Sequence, residues 1–261
     1  MATPRDPRAV LDRPAAPAAR TVPYGEDAAQ VYDVRLPAGP LRDATVVVVH
    51  GGFWQKDFDR THAAAQAQAF ADDGFSVAVP EYRRVDMPGG GWPGTAQDVA
   101  AGVAAIRADP TLPDRVVLVG HSAGGHLVAW VASQPQAHGL AGVVSLAGCV
   151  DLTLTARLGL GDRAAQSLMG GDPEGPLRAA YALADPAQLS PAVPVVLLHG
   201  TDDRTVLPEV SRSYEQRMRA RRSGSPEVRL TMLTGADHFA VIDPSHPAFA
   251  TVLATVRTLG A

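Results

Sequence analysis

The sequence has little of several residue types, and each shortage narrows what the chain can be. Cys149 is the only cysteine among 261 residues, so no disulfide can form within the chain, which fits a reducing compartment. The formal net charge of −4 gives no basic surface of the kind that nucleic acids or anionic membranes attract. No apolar run approaches the roughly 18 residues that a membrane-spanning helix needs. We therefore expect a cytoplasmic protein that binds neither nucleic acid nor membrane.

Metal-binding patterns are also missing. No H-E-x-x-H sequence occurs, and His121 and His126 are five positions apart, which would turn them to different faces of a helix. We expect neither a metal ion nor another cofactor.

Short apolar segments alternate with helical ones along most of the chain. The strand-like segments lie at residues 30–37, 46–49, 75–82, 115–120, 142–148, 193–200 and 227–233. This alternation predicts βαβ units and an α/β fold, with a mainly parallel central sheet and helices on both faces.

The length and composition favour one domain with two additions. Residues 1–20 hold four prolines among small residues, so we expect a flexible N-terminal arm. Residues 21–261 then form a single domain, in which residues of about 151–190 break the strand–helix rhythm and predict a small cap-like insertion.

A serine lies at a predicted strand-to-helix turn. Gly120 to Gly124 read Gly-x-Ser-x-Gly, directly after an apolar strand and before a helical segment. A sharp turn there needs very small residues two positions before and after the serine, and it exposes the hydroxyl at a helix N-terminus. We predict that Ser122 is a nucleophile. The alternative is a serine that merely caps the helix.

A nucleophilic serine needs a base and an orienting acid, which in this sheet class follow it in the order acid, then histidine. His238 follows the last predicted strand and is the expected base. Asp202 and Asp203 follow the strand before it; we prefer Asp203 as the acid and expect Asp202 to brace the turn. Asp151 is the reserve candidate.

The glycines that follow the valine strand in VVVVHGGFW have a function if the serine reacts with a carbonyl group. Acyl transfer forms an oxyanion, and amide donors fixed around it are worth about 10²–10³ in rate apiece. Small residues let the backbone approach the substrate, so the amides of Gly52 and Phe53, with that of Ala123 after the nucleophile, form the expected oxyanion hole.

These motifs together resemble the α/β-hydrolase superfamily, more narrowly the esterase branch related to hormone-sensitive lipase. That branch usually has His-Gly-Gly-Gly where this chain has Phe53 in fourth place. HGGFWQ, GHSAGGHL and DHFAVID are most similar to kynurenine formamidases (arylformamidases). In such relatives a Tyr-Arg-Arg stretch and a later aspartate stabilise the loop near the site, which implies an Arg83–Asp98 ion pair here.

The resemblance implies a serine hydrolase that cleaves a small acyl or formyl group from an ester or aryl formamide. Trp54, Tyr82, Trp92 and His121 are the expected substrate contacts. The main alternative is a general short-chain carboxylesterase. A serine peptidase would usually carry an additional gating domain, and a non-catalytic receptor on this scaffold would often lack a member of the triad. We expect a small-molecule substrate and a monomer or homodimer.

Overall fold

Strands and helices alternate in the computed structural model, which describes residues 6–38, 40–221 and 226–261. The strands are β1 (Arg20–Pro23), β2 (Val31–Arg35), β3 (Thr45–Val49), β4 (Ser76–Pro80), β5 (Val116–His121), β6 (Leu140–Leu146), β7 (Val195–Gly200) and β8 (Val228–Leu233). The α-helices are α1 (Ala64–Asp72), α2 (Gly94–Arg107), α3 (Ala123–Val131), α4 (Leu152–Arg157), α5 (Leu160–Met169), α6 (Arg178–Ala184), α7 (Glu209–Ala220) and α8 (Ala248–Gly260).

The eight strands form one sheet in the order β1-β2-β4-β3-β5-β6-β7-β8. β1 and β2 pair antiparallel with their neighbours, and all strand pairs from β4 to β8 are parallel. The mainly parallel sheet predicted from the sequence is therefore confirmed. Because the parallel strands all end at one edge, the loops that follow β3, β5, β7 and β8 meet there.

Valines of β3 divide between the two faces of the sheet. Val47 and Val49 belong to the core under α2, α3 and α7, whereas Val46 and Val48 belong to the core under α1 and α8. A strand covered on both faces needs apolar side chains in both directions, which is why four valines follow one another. Each fully buried valine contributes roughly 1.5–3 kcal/mol to stability.

The N-terminal arm is a correction to the sequence-based expectation. Residues 1–5 of the expected arm lie outside the described residues. From Asp6 onward the chain has defined structure: Pro7–Val10 form a 3-10 helix, and Val10 is only 2% exposed, although the residues around it are exposed or half-buried. A buried apolar side chain gives this proline-rich stretch a fixed place, which its composition did not reveal.

The expected Arg83–Asp98 ion pair is present. Arg83 donates from Nε and Nη2 to the two oxygens of the carboxylate, both at 2.7 Å, and the Gln30 side chain donates to Oδ1 at 2.8 Å. Asp98 is in α2 and Arg83 follows β4, so the pair fixes the loop after β4 to the helix.

Residues 151–190 lie between β6 and β7 and contain α4, α5 and α6. A Cβ atom added to Gly161 would lie 2.5 Å from the ring of Phe53, so this insertion packs directly against the loop that follows β3.

Candidate active site

Ser122 occupies the turn between β5 and α3. Its φ of 56° and ψ of −117° are unusual for a residue with a side chain, as expected of a nucleophile held in a sharp turn. A Cβ added to Gly120 would lie 2.2 Å from the Gly124 carbonyl oxygen, and one added to Gly124 would lie 2.1 Å from the Val49 carbonyl oxygen. Backbone atoms occupy both positions, so the two motif glycines are required by close packing.

His238 and Asp203 are hydrogen-bonded to each other. The distance from His238 Nδ1 to Asp203 Oδ2 is 2.7 Å, and both residues are buried. Burial acts to raise the pKa of Asp203, but hydrogen bonds from His199 and His238 outweigh it and hold the pKa well below its ordinary value. The carboxylate is therefore ionised and can only accept, so Nδ1 of His238 carries the proton and Nε2 is left free to accept one.

The other two acid candidates do not contact His238. Asp202 is exposed and accepts a hydrogen bond from the Thr201 hydroxyl at 2.9 Å. Asp151 caps α4 through the Leu154 amide, and its second oxygen accepts from Ser213 at 2.6 Å and from Arg217 at 3.1 Å. Both carboxylates have structural partners, which leaves Asp203 as the partner of the histidine.

Three amides near Ser122 have no acceptor within the described ranges: those of Gly52, Phe53 and Ala123. Gly52 has a φ of +108°, and a Cβ there would lie 2.2 Å from Phe58 Cβ. Gly51 touches the turn itself, because a Cβ on it would lie 3.1 Å from Ser122 Cβ. The glycine pair thus lets the loop after β3 approach the serine, and these unpaired amides are suited to bind an oxyanion.

Glu81 was not among the residues predicted from the sequence, but it contacts His50 and so supports the loop after β3. It is 2% exposed, and its Oε1 lies 3.0 Å from His50 Nε2, while its Oε2 accepts from the Arg60 amide at 2.9 Å. Burial raises the pKa of Glu81, yet hydrogen bonds from His50 and from backbone amides lower it more, so the net pKa is below the usual value. The sequence feature that could have indicated this role is an acidic residue directly after a strand that is buried on both faces.

A cavity of about 70 Å³ opens beside Ser122 and His238. Its walls are mostly apolar, and the lining residues are Arg8, Leu11, His50, Gly51, Gly52, Phe53, Phe58, His62, Ala63, Gln66, His121, Ser122, Thr205, His238, Phe239 and Ile242. One water needs roughly 10–15 Å³ of such space, so the cavity suits a group of a few heavy atoms.

Of the four expected substrate contacts, only His121 lines this cavity. Its Nε2 lies 2.9 Å from the His238 carbonyl oxygen and therefore donates to it. Burial, together with the neighbouring His238, lowers the pKa of His121 to about 3. A neutral His121 thus fixes the backbone of the candidate base.

The three aromatic contacts need correction. Trp54 and Tyr82 are fully buried: Trp54 packs edge-on against His126, and Tyr82 stacks on His50 at 4.3 Å and donates to the His50 carbonyl oxygen. Trp92 packs edge-on against Trp130, with ring centroids 5.6 Å apart, outside the residues that line the cavity. Trp54 and Tyr82 are therefore core residues that support the site from outside its cavity, although Trp54 Nε1 has no hydrogen-bond partner in the described structure, and half-buried Trp92 does not line the cavity either.

Most residues that line the cavity were not predicted from the sequence. Arg8 and Leu11 come from the supposed arm, Phe58, His62 and Gln66 from the segment around the start of α1, and Phe239 and Ile242 from the loop after β8. Phe239 and Ile242 sit in the DHFAVID stretch and could have been proposed from their distance to His238. Arg8 and Leu11 gave no signal.

Within the described residues, no group of three or more His, Cys, Asp or Glu side chains is placed to hold a metal ion. No described helix combines the length and the apolar character needed to cross a bilayer.

Several solved structures share this fold. A truncated carbohydrate esterase from gut microbiota superposes with a TM-score of 0.76 at 18% identity, covering 93% of this chain and 97% of that one. Esterase B from Lactobacillus rhamnosis gives 0.73 at 21% identity, covering 97% and 89%. The propionate-bound esterase Est2 of Thermogutta terrifontis gives 0.71 at 20% identity, covering 93% of each chain. No curated protein matches the sequence.

The sheet, its helices and these neighbours establish the α/β-hydrolase fold. A family model described as BD-FAE matches residues 32–218, which include the loop after β3, the serine turn and the Asp203 loop. The chain belongs to the BD-FAE family.

Proposed function

We propose that this protein is a serine esterase that removes a short acyl group through a Ser122–His238–Asp203 triad. The observation that carries the proposal is the 2.7 Å bond between His238 Nδ1 and Asp203 Oδ2, on a histidine that lines one small cavity with Ser122. Family membership and the fold agree with it. A helix-capping role for Ser122 has no support, because its side chain makes no capping hydrogen bond in α3.

The proposed mechanism follows from the assigned protons. His238 Nε2 takes the proton of the Ser122 hydroxyl as its oxygen attacks the carbonyl carbon, and ionised Asp203 stabilises the resulting imidazolium. The amides of Gly52, Phe53 and Ala123 donate to the oxyanion. The imidazolium then protonates the leaving group. Water, deprotonated by the same histidine, attacks the acyl-enzyme and releases the acid and the free serine.

The size of the cavity supports a short acyl group. About 70 Å³ holds a few heavy atoms, so a short acyl group fits the cavity. Est2 of Thermogutta terrifontis, whose structure has propionate bound, agrees with this size. We therefore propose a short-chain carboxylesterase that acts on a small-molecule ester.

Arylformamide hydrolysis is the second candidate. It is favoured by Phe53, which stands where glycine is usual and lines the cavity, so that a small acyl group such as formyl suits the site. Trp54 gives no such support, because it is buried away from the cavity.

Replacing Ser122 by Ala tests the proposal. We expect turnover of p-nitrophenyl acetate to fall about 10⁵-fold or more, with unchanged circular dichroism, because the nucleophile is lost and the turn tolerates a smaller side chain. Ser167→Ala is the matched control, because Ser167 is exposed on α5 and does not line the cavity. Retained activity in the Ser122 variant would refute the assignment.

The two substrate classes are separated by kcat/KM for N-formylkynurenine and for p-nitrophenyl acetate, measured on the same preparation. The esterase proposal predicts the larger value for the acetate ester. A formamide preference of several orders of magnitude would replace it with the second candidate.

A further inference from the structure

The N-terminal segment, residues 6–13, is attached to the body of the protein through Val10 and Arg13. Within the segment, Asp6 caps the short 3-10 helix by accepting the Arg8 amide at 2.9 Å, and Val10 is buried in the core under α1 and α8. Arg13 Nη1 donates to Asp243 Oδ1 at 2.5 Å. Asp243 lies five residues after His238, so the segment is fixed to the loop that carries the candidate base.

This segment forms one wall of the cavity. Arg8 and Leu11 line it together with Ser122 and His238, although they precede the serine by more than 100 positions in the chain. Leu11 is half-buried, and the Arg8 side chain is exposed, so Arg8 occupies the mouth of the cavity and Leu11 its interior.

The charged side chain that lines the cavity is positive. Among the described residues that line the cavity, Arg8 is the only arginine or lysine, and no aspartate or glutamate is present. Arg8 makes no ion pair with any described residue. A guanidinium without an ion pair at the mouth of the cavity is free to attract a carboxylate, and its planar donors can bind both oxygens.

We infer that Arg8 selects substrates that carry a carboxylate on the leaving-group side of the scissile ester. The inference rests on the proposed function, because it assumes that the acyl group enters the cavity and the leaving group extends toward its mouth. Arg8 is then a specificity-determining residue, supplied by the N-terminal segment, that acts on substrate binding and leaves the reacting atoms to the triad.

The test uses two acetate esters of equal shape, 4-acetoxybenzoate and its neutral amide, 4-acetoxybenzamide. We expect the wild type to prefer the carboxylate by about tenfold in kcat/KM, mainly through KM, since a hydrogen bond to a charged group is worth that much. Arg8→Gln should bring the ratio close to one, and Arg8→Glu should reverse it. Raising the salt to about 0.5 M should reduce the wild-type preference through screening.

Arg212→Gln is the matched control, because Arg212 is exposed on α7 without an ion pair among the described residues and does not line the cavity. It should keep the wild-type ratio. A wild-type ratio near one that Arg8→Gln leaves unchanged overturns the inference, while the esterase proposal stands.

Binding provides a readout that does not depend on turnover. In the Ser122→Ala background, calorimetry should give tighter binding of 4-acetoxybenzoate than of the amide, and Arg8→Gln should remove the difference. If the wild type hydrolyses neither ester but this difference is found, the proposed function fails and the role of Arg8 in anion binding stands. Equal binding of both compounds overturns that role.

Discussion

Asp203 shows how single residues set the chemistry of this site. Its Oδ1 accepts the amides of Thr205 and Val206 at 2.8 and 2.9 Å, and its Oδ2 lies 2.7 Å from His238 Nδ1 and 3.2 Å from His199 Nε2. A carboxylate with donors on both oxygens keeps its charge and its orientation. It can therefore fix the histidine in the tautomer that accepts a proton from serine.

The two adjacent aspartates should differ sharply when each is replaced by Asn. Asp203→Asn keeps the shape but allows the amide to favour the wrong histidine tautomer, so we expect kcat to fall about 10³–10⁴-fold. Asp202→Asn should stay within about threefold, because the one side chain that its carboxylate contacts among the described residues is that of Thr201. Turnover of p-nitrophenyl acetate checks both. Equal, mild losses would contradict the assignment of Asp203.

His50 and Glu81 extend the same reasoning to the oxyanion loop. His50 Nδ1 lies 2.8 Å from the Gly51 carbonyl oxygen and its Nε2 lies 3.0 Å from Glu81, so the ring connects the loop to the end of β4. The Tyr82 hydroxyl donates to the His50 carbonyl oxygen at 2.9 Å. These buried hydrogen bonds restrain the loop before substrate binds, which is what an amide-based oxyanion site requires.

At the level of elements, the serine turn depends on how closely α3 approaches β3. A Cβ on Gly124 would lie 2.1 Å from the Val49 carbonyl oxygen and 2.5 Å from that of His50. Backbone cannot move aside as a side chain can, so any larger residue must push the helix away from the strand and displace Ser122 with it.

Gly124→Ala should therefore lower the free energy of unfolding by more than about 2 kcal/mol, although alanine is the better helix former. Gly102→Ala in α2 is the matched control, since its Cβ would meet only the Pro80 and Tyr24 side chains, the nearest at 3.3 Å. We expect it to change stability by less than about 1 kcal/mol. Urea denaturation measures both, and a Gly124 variant as stable as the control would contradict the packing argument.

Strands and motifs could be predicted from the sequence where a short stretch of consecutive residues determines them. The strand at residues 193–200 is observed as Val195–Gly200, and the serine turn lies where Gly-x-Ser-x-Gly predicted it. Short edge strand β1 was missed, because four residues of alternating exposure resemble a loop. Spacing also left Asp202 and Asp203 open, since the choice depends on which carboxylate faces His238.

Short sequence patterns do not predict which residues line the cavity. Phe53 and Trp54 both have positive φ, at 50° and 58°, so strand alternation does not tell which of the two rings turns toward the cavity. The structure directs Phe53 into the wall and Trp54 into the core. Arg8 and Leu11 reach the site only through tertiary packing of a segment whose composition is that of a loose terminus.

At the scale of the whole molecule, His121 and His126 begin to cost stability at a higher pH than the buried carboxylates Glu81 and Asp203 do. Burial lowers the pKa of His126 to about 4, and burial with the nearby His238 lowers that of His121 to about 3. The pKa values of Glu81 and Asp203 lie below those of ordinary carboxylates. The two carboxylates therefore continue to stabilise the fold at pH values well below the range in which unfolded histidines gain protons.

Mild acid should therefore destabilise the fold through its histidines. A histidine has a pKa of about 6.5 in the unfolded chain, so below that pH the unfolded state takes up protons that the folded state refuses, and stability falls with pH toward about 4 for His126. At about 1.4 kcal/mol per pH unit, moving from pH 7 to pH 5 should cost up to about 2 kcal/mol for this residue.

His126→Gln should remove that share of the pH dependence. Nε2 of His126 donates to the Ala184 carbonyl oxygen at 2.9 Å, a bond that the glutamine amide can replace, and Nδ1 has no partner in the described structure that a proton could satisfy. Urea denaturation at pH 7 and pH 5 gives the comparison, with exposed His138→Gln as the control that should keep the wild-type loss. If the His126 variant loses as much stability as the wild type, the folded protein accepts a proton at this position, and burial does not keep the ring neutral.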